Sequence, residues 1–149
     1  MISNAERTKY DGADAVRERY RADLGVNESL VREISRQKKE PEWMLKKRLR
    51  ALALFREAPM PKWGPDLSGL DLDKITYFVR PDAKEANTWD DVPAEIKRTF
   101  DRLGIPEAER TVLGGAGAQY DSDVVYHNIK EEWTRQGVVF ENMDTAVQK

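Results

Sequence analysis

The stretch Glu40-Pro41-Glu42-Trp43-Met44-Leu45-Lys46-Lys47-Arg48-Leu49-Arg50-Ala51-Leu52-Ala53-Leu54-Phe55 decides how the fold is read. Proline at a first helical position lacks only an N–H that would have no partner there, and its acidic neighbours favour the positive end of the helix dipole. Leu45, Leu49, Leu52 and Ala53 then recur at i, i+4, i+7 and i+8, while Lys46, Lys47, Arg48 and Arg50 cover the remaining surface. Phe55 extends the apolar edge. Ala58-Pro59-Met60-Pro61 stops the helix, because a residue before proline is pushed out of the helical region.

Outward from this helix, the sequence predicts more of the same. Upstream, Asn27 offers an N-cap to a segment whose Leu30, Val31 and Ile34 share one stripe. The first dozen residues read as a mobile tail and the polar run Asp14 to Asp23 as one weak helix stopped at Gly25, so residues 1–26 stand apart from 27–149. Downstream, Met60 to Asp73 lacks any period and reads as an extended wrap. Ile75-Thr76-Tyr77-Phe78-Val79 is a candidate strand, with Val138-Val139-Phe140 as its one candidate partner.

Trp89-Asp90-Asp91-Val92-Pro93 is a second acidic helix start, and Val92, Ile96, Phe100 and Leu103 mark the buried stripe behind it, up to Gly104. Pro106 opens a short helix through Arg110. Gly114-Gly115-Ala116-Gly117-Ala118 reads as a small-residue loop, after which Asp121 or Ser122 caps a helix carrying Val125, Ile129 and Trp133, ended by Gly137. Asn142 caps a last helix that the sequence leaves after one turn at Lys149, the mark of a truncated or partial protein. The expected fold class is mainly α: short helices and ordered loops with one or two short strands.

Composition narrows the function. In 149 residues, 40% are hydrophobic and 35% charged, which calls for a thin core, long solvated helix faces or a surface that a partner covers. The 25 basic and 27 acidic side chains give a net charge of -2, so the molecule as a whole has no general attraction for DNA or membranes. The absence of cysteine excludes disulfides, thiolate ligation of iron-sulfur clusters and cysteine nucleophiles within this chain. No stretch approaches the roughly 20 apolar residues of a membrane span, and a cytoplasmic location is expected.

Candidate chemistry is thin. His127 is the single histidine, and on a helix Asp123 and Glu131 would flank it four residues away on either side, with Glu132 next to them. Such a row is an ordinary solvated face, and a structural zinc site needs more than one nitrogen ligand. Gly115-x-Gly117 lacks the third glycine and the Gly-Lys-Ser/Thr of a phosphate cradle. The chain is therefore expected to be no enzyme and to hold no catalytic, cofactor or metal residue. Lys38, Lys39, Lys46, Lys47, Arg48, Arg50 and Arg56 form a local basic segment, the basis of an alternative in which a small helical protein binds nucleic acid through the Lys38 to Arg56 surface. Aromatic residues interleave it only at Trp43 and Phe55, so a solvated face, or one suited to an acidic protein partner, competes with that alternative and nucleic acid is not the expected partner. Of four tryptophans, Trp43 and Trp89 stand beside acidic, proline-containing helix starts, where a ring staples the entering chain or anchors a partner.

The runs Ile34-Ser35 through Glu40-Pro41-Glu42-Trp43-Met44-Leu45 with Arg48-Leu49, Trp89-Asp90-Asp91-Val92-Pro93 to Leu103-Gly104-Ile105-Pro106-Glu107, Gln119-Tyr120-Asp121-Ser122 with Val124-Val125-Tyr126-His127-Asn128, and Gln136-Gly137-Val138-Val139-Phe140 resemble the SufB family. The resemblance runs from about Asn27 to the last residue and covers the N-terminal part of the family. It implies a helical region preceding a right-handed parallel β-helix, in a scaffold on which iron-sulfur clusters are assembled by the SUF system. It also implies an ABC-type ATPase subunit and a paralogous scaffold subunit as partners, with sulfur coming from a cysteine desulfurase. The family's sulfur-accepting and cluster-binding positions have no counterpart here, so the iron-sulfur cluster belongs to the full-length family and no cofactor to this chain. A cysteine-rich insertion that some members carry after Tyr77 is also missing; Pro81-Asp82-Ala83-Lys84 stands in its place. Trp43, Arg48, Trp89 and Tyr126, all within the resembling runs, are the residues expected to meet partners.

Overall fold

The computed structural model describes residues 16–103 and 112–149. The tail, the cap at Gly104 and the helix from Pro106 to Arg110 lie outside the described residues. The chain divides into two compact units, one formed from Arg21–Val79 with Asn142–Lys149, the other from Arg80–Glu141 with the described part of Met1–Tyr20. We call them the helical unit and the hairpin unit. Strand β1 (Glu18–Arg21) pairs with β2 (Val79–Pro81).

In the helical unit, α1 (Glu28–Gln37) begins where Asn27 Oδ1 accepts from the Leu30 amide at 2.8 Å. It ends in a Schellman turn: the Lys39 amide donates to Arg36 O at 3.2 Å and the Glu40 amide to Ser35 O at 3.0 Å. Lys39 takes the left-handed position at φ 52, where glycine is usual. Helix α2 (Glu42–Glu57) follows from Pro41 and stops at Ala58, as the sequence reads. Leu30, Val31 and Ser35 of α1 and Leu52 of α2 are buried. The short α5 (Met143–Ala146) starts with Asn142 Oδ1 accepting from the Thr145 amide at 2.8 Å.

Of the segment read as a strand at Ile75–Val79 only Val79 lies in one, β2, with Thr76 in an isolated bridge, and its partner is not Val138-Val139-Phe140. The Ala22 amide donates to Phe78 O and the Gly25 amide to Ile75 O, both at 2.9 Å, and Leu24 bridges Thr76. The partner is thus the polar run read as a weak helix, whose Glu18–Arg21 is extended. Its residue types tolerate helix, and pairing with a β-branched, aromatic segment overrides that weak preference.

The hairpin unit carries the larger correction. Gly115–Tyr120 is strand β3, not a loop, and Asp123–Ile129 is strand β4, not the start of a helix; the two pair antiparallel from Gly115 opposite Ile129 to Tyr120 opposite Asp123. Asp121, at φ 51, leads a two-residue turn rather than a helix cap. Opposite the step from Ala118 to Gln119, β4 holds one extra residue, Val125, and the resulting bulge lets neighbouring Val125 and Tyr126 both be buried, at 0% and 5% exposure. Ala86 lies along the other side of β4, donating to Val125 O at 3.0 Å and accepting from the His127 amide at 2.9 Å. Helix α3 (Ala94–Leu103) follows a single 3-10 turn at Trp89–Asp91 and packs Val92 and Ile96 into this core. Helix α4 (Glu131–Arg135) is short, and Gly137 at φ 85 closes it. Among the described residues the fold is therefore a small mixed α/β arrangement with two antiparallel two-stranded sheets, and the expectation of a mainly α chain is overturned by them.

Candidate interaction surfaces

The basic segment is less available than its sequence implies. Arg48 is committed to Glu40, with Nε 2.8 and 3.0 Å and Nη2 2.5 Å from the carboxylate oxygens. The Schellman turn folds Glu40 back under α2, leaving its side chain 2% exposed against 36% for Arg48. The bidentate Arg48 guanidinium, first among its neighbours, holds the Glu40 carboxyl below the usual range against the opposing effect of burial, and Ser35 and Lys38 act in the same direction. Glu40 in turn raises the pKa of Arg48. Lys38 pairs with Asp144 of α5 and sits 6.0 Å from the Phe78 ring centroid. Lys46 pairs with Glu42 one turn away. Three of the seven cations, Lys38, Lys46 and Arg48, thus have carboxylate partners within the unit.

The four residues singled out from sequence separate into different environments. On α2, Trp43 is 54% exposed and stands about 140° around the helix from Arg48, so the two do not form one surface. In the hairpin unit, Trp89 and Tyr126 do come together. The Trp89 ring meets Tyr126 at 5.4 Å and Phe100 at 5.5 Å, edge-on to both, as a staple would. Tyr126 is a core residue.

The carboxylate row around His127 does not form, because residues 123–129 are extended. Asp123 instead accepts from Arg80 Nε at 2.8 Å and lies 3.4 Å from Arg19 Nη2. His127 stacks on Phe140 with centroids 4.8 Å apart, and its Nε2 is buried without a hydrogen-bond partner among the described residues. Among the described residues no group of three His, Cys, Asp or Glu is placed to hold a metal ion, and no helix there is long and apolar enough to cross a membrane.

Two apolar surfaces emerge that residue types alone do not single out. In the hairpin unit, Trp133, Val138, Val139 and Phe140 surround Gly114 and Gly115 in an open cavity of about 290 Å3. These four side chains are exposed, Val139 to 80%. A Cβ on Gly114 would meet Trp133 Nε1 at 2.6 Å, and one on Gly115 would meet Phe140 Cδ1 at 3.0 Å, so the two glycines let the rings lie on the strand. The signal in the sequence was the unbroken apolar run Val138-Val139-Phe140 behind a glycine. In the helical unit, Val31, Ile34, Ala51, Leu52 and Phe55 line a groove of about 320 Å3 bordered by Arg48.

Comparison with known proteins adds a relationship that geometry does not carry. No family model matches the chain and no solved structure does. Curated proteins do match: an iron-sulfur cluster assembly SufBD family protein of Staphylococcus aureus strain USA300 and one of Staphylococcus haemolyticus strain JCSC1435 are each 54% identical over 130 residues, 87% of this chain. The chain spans 28% of the length of these relatives. Identity of this order across most of the described residues, helices and hairpin alike, means that the chain belongs to the SufBD family.

Proposed function

We propose that this chain is the N-terminal docking part of an iron-sulfur cluster assembly scaffold, acting by packing against other protein surfaces and not by chemistry of its own. The observation that carries the reading is the apolar surface of the hairpin unit: Trp133, Val138, Val139 and Phe140 left exposed around a glycine pair. Exposed aromatic and aliphatic side chains gathered in one place mark a surface that another protein element covers. Family membership supplies the context: the Staphylococcus relatives are named for iron-sulfur cluster assembly. The partners that fit are a SUF ATPase subunit and a paralogous scaffold subunit, met in the cytoplasm. With no thiol to ligate iron, the cluster itself would be held elsewhere in the scaffold.

Two measurements test this. Anaerobic reconstitution with iron and sulfide should leave the chain colourless; a stable brown, stoichiometric species would overturn the division between docking and chemistry. Sedimentation with the purified paralogous scaffold and ATPase subunits should give a saturable complex that Val139→Asp weakens. Unchanged binding by that variant would remove the hairpin unit's apolar surface from the account.

A further inference from the structure

We propose that the open edge of β3 pairs with β3 of a second copy of this chain, antiparallel about a two-fold axis at Gly117. This stands on the geometry of the hairpin unit alone and does not need the iron-sulfur reading.

In a strand the N–H and C=O of one residue point to the same side, and successive residues alternate. Ala86 fixes which side is which in β4. It donates to Val125 O at 3.0 Å and accepts from the His127 amide at 2.9 Å, so Val125 and His127 turn their peptide groups away from β3. Tyr126 and Asn128 turn theirs toward it, opposite Ala118 and Ala116. Lys130 keeps the alternation, its amide donating to Gly114 O at 2.9 Å. Gly115, Gly117 and, by the same alternation, Gln119 therefore direct N–H and C=O outward, where no strand lies beside β3 among the described residues. Alternating donors and acceptors at this spacing match an extended backbone.

A second β3 supplies one. Placing Gly117 opposite its own copy sets Gly115 opposite the copy's Gln119, so every outward residue meets another and each such pair exchanges both bonds. Edge strands are commonly kept from pairing with their copies by charge, proline or a bulge. Strand β3 has no charged residue and no proline, and the extra residue of the bulge belongs to β4. Two copies thus bring no like charges together along the paired residues. Phe140 lies on the face of β3 that Gly115 and Gly117 share, and a Cβ on Gly117 would be 3.9 Å from its Cζ. With paired strands about 4.8 Å apart, the two Phe140 rings come close across the axis. Each ring, 41% exposed in the single chain, gains cover from its copy.

Sedimentation velocity of the 149-residue chain alone should show a monomer at about 5 μM giving way to a dimer by about 0.5 mM. Gly117→Pro removes an outward N–H and no bond to β4, so it should weaken the dimer at least about tenfold while far-UV circular dichroism stays unchanged. Gly117→Ala keeps that N–H and sets its methyl no closer than 3.7 Å to its neighbours, so it should dimerise within about twofold of wild type. In the wild type, hydrogen exchange at the Gly115, Gly117 and Gln119 amides should slow in step with the dimer fraction, while Ala116 and Ala118, bonded to β4, are protected at every concentration. This last measurement needs no substitution and decides the matter if proline disturbs the hairpin. A chain still monomeric at about 0.5 mM, a dimer that Gly117→Pro leaves intact, or outward amides whose exchange ignores concentration would overturn the inference.

Discussion

Replacing Arg48 with alanine should destabilise the helical unit by an amount set by what it leaves behind. The Glu40 side chain is 2% exposed and would lose three contacts of 2.5 to 3.0 Å from the guanidinium. Breaking a buried pair from one side costs about 3–5 kcal/mol. Ser35 and Lys38 remain near the carboxylate and Arg48 is itself partly open to water, so about 2–3 kcal/mol is expected here. Glu40→Gln should cost less, because the guanidinium left behind can reach solvent. Replacing both residues by leucine should be close to neutral, since the desolvation of both charges then disappears.

The sign with pH follows from the lowered carboxyl. A folded pKa below the ordinary 4.5 means that the pair's contribution is complete above that value and is lost as pH falls through the folded pKa. Urea unfolding followed by far-UV circular dichroism, at neutral pH and at acid pH, measures the whole cycle. A cost for Arg48→Ala below about 0.5 kcal/mol, as for a surface pair, or a gap between wild type and variant that stays constant into acid, would refute the reasoning.

Three further outcomes are expected. Ile96→Ala, at a side chain with 0% exposure in the hairpin unit's core, should cost about 2–5 kcal/mol, read from denaturant unfolding by far-UV circular dichroism. Asp123→Asn should cost about 2 kcal/mol or more by removing the buried negative charge that Arg80 and Arg19 both meet, whereas Asp82→Asn, in the exposed pair with Arg17, should be nearly silent in the same assay. Gly114→Ala should push the Trp133 indole off the strand, since the new methyl falls 2.6 Å from its Nε1; a change in indole fluorescence without global unfolding would show it.

The parts legible in the sequence were those fixed by local chemistry. Asn27 and Asn142 cap the helices they were read to cap, and Pro41 and Pro59 bracket α2, because a cap is satisfied by atoms a few residues away, whereas Gly137 ends only the short α4 and not the longer helix read from Asp121 or Ser122. The strands were less legible because tertiary pairing sets them. Glu18–Arg21 is made of residues at home in a helix, and β3 is glycine and alanine, a composition that reads as loop until β4 lies beside it. Asp123–Ile129 was ambiguous in a specific way: Val125, Ile129 and Trp133 fit a helical stripe, while Val124-Val125-Tyr126 is equally a β-branched and aromatic run. The bulge at Val125 disturbs the alternation that would have decided between them.

The candidate surfaces divide the same way. Trp89 beside a helix start was readable as a staple, and it packs as one on Phe100 and Tyr126. The pairing of Glu40 with Arg48 was not readable, since a separation of eight residues across a helix boundary belongs to no local pattern and depends on the left-handed turn at Lys39.

The most direct test of the docking account is sedimentation velocity of the chain with the purified SUF paralogous scaffold and ATPase subunits after anaerobic incubation with iron and sulfide, detected in both the ultraviolet and the visible. The account predicts a saturable complex, with free chain sedimenting colourless and Val139→Asp failing to enter the complex. Free chain that sediments with a stoichiometric visible chromophore, or wild-type chain that joins neither subunit, would contradict it.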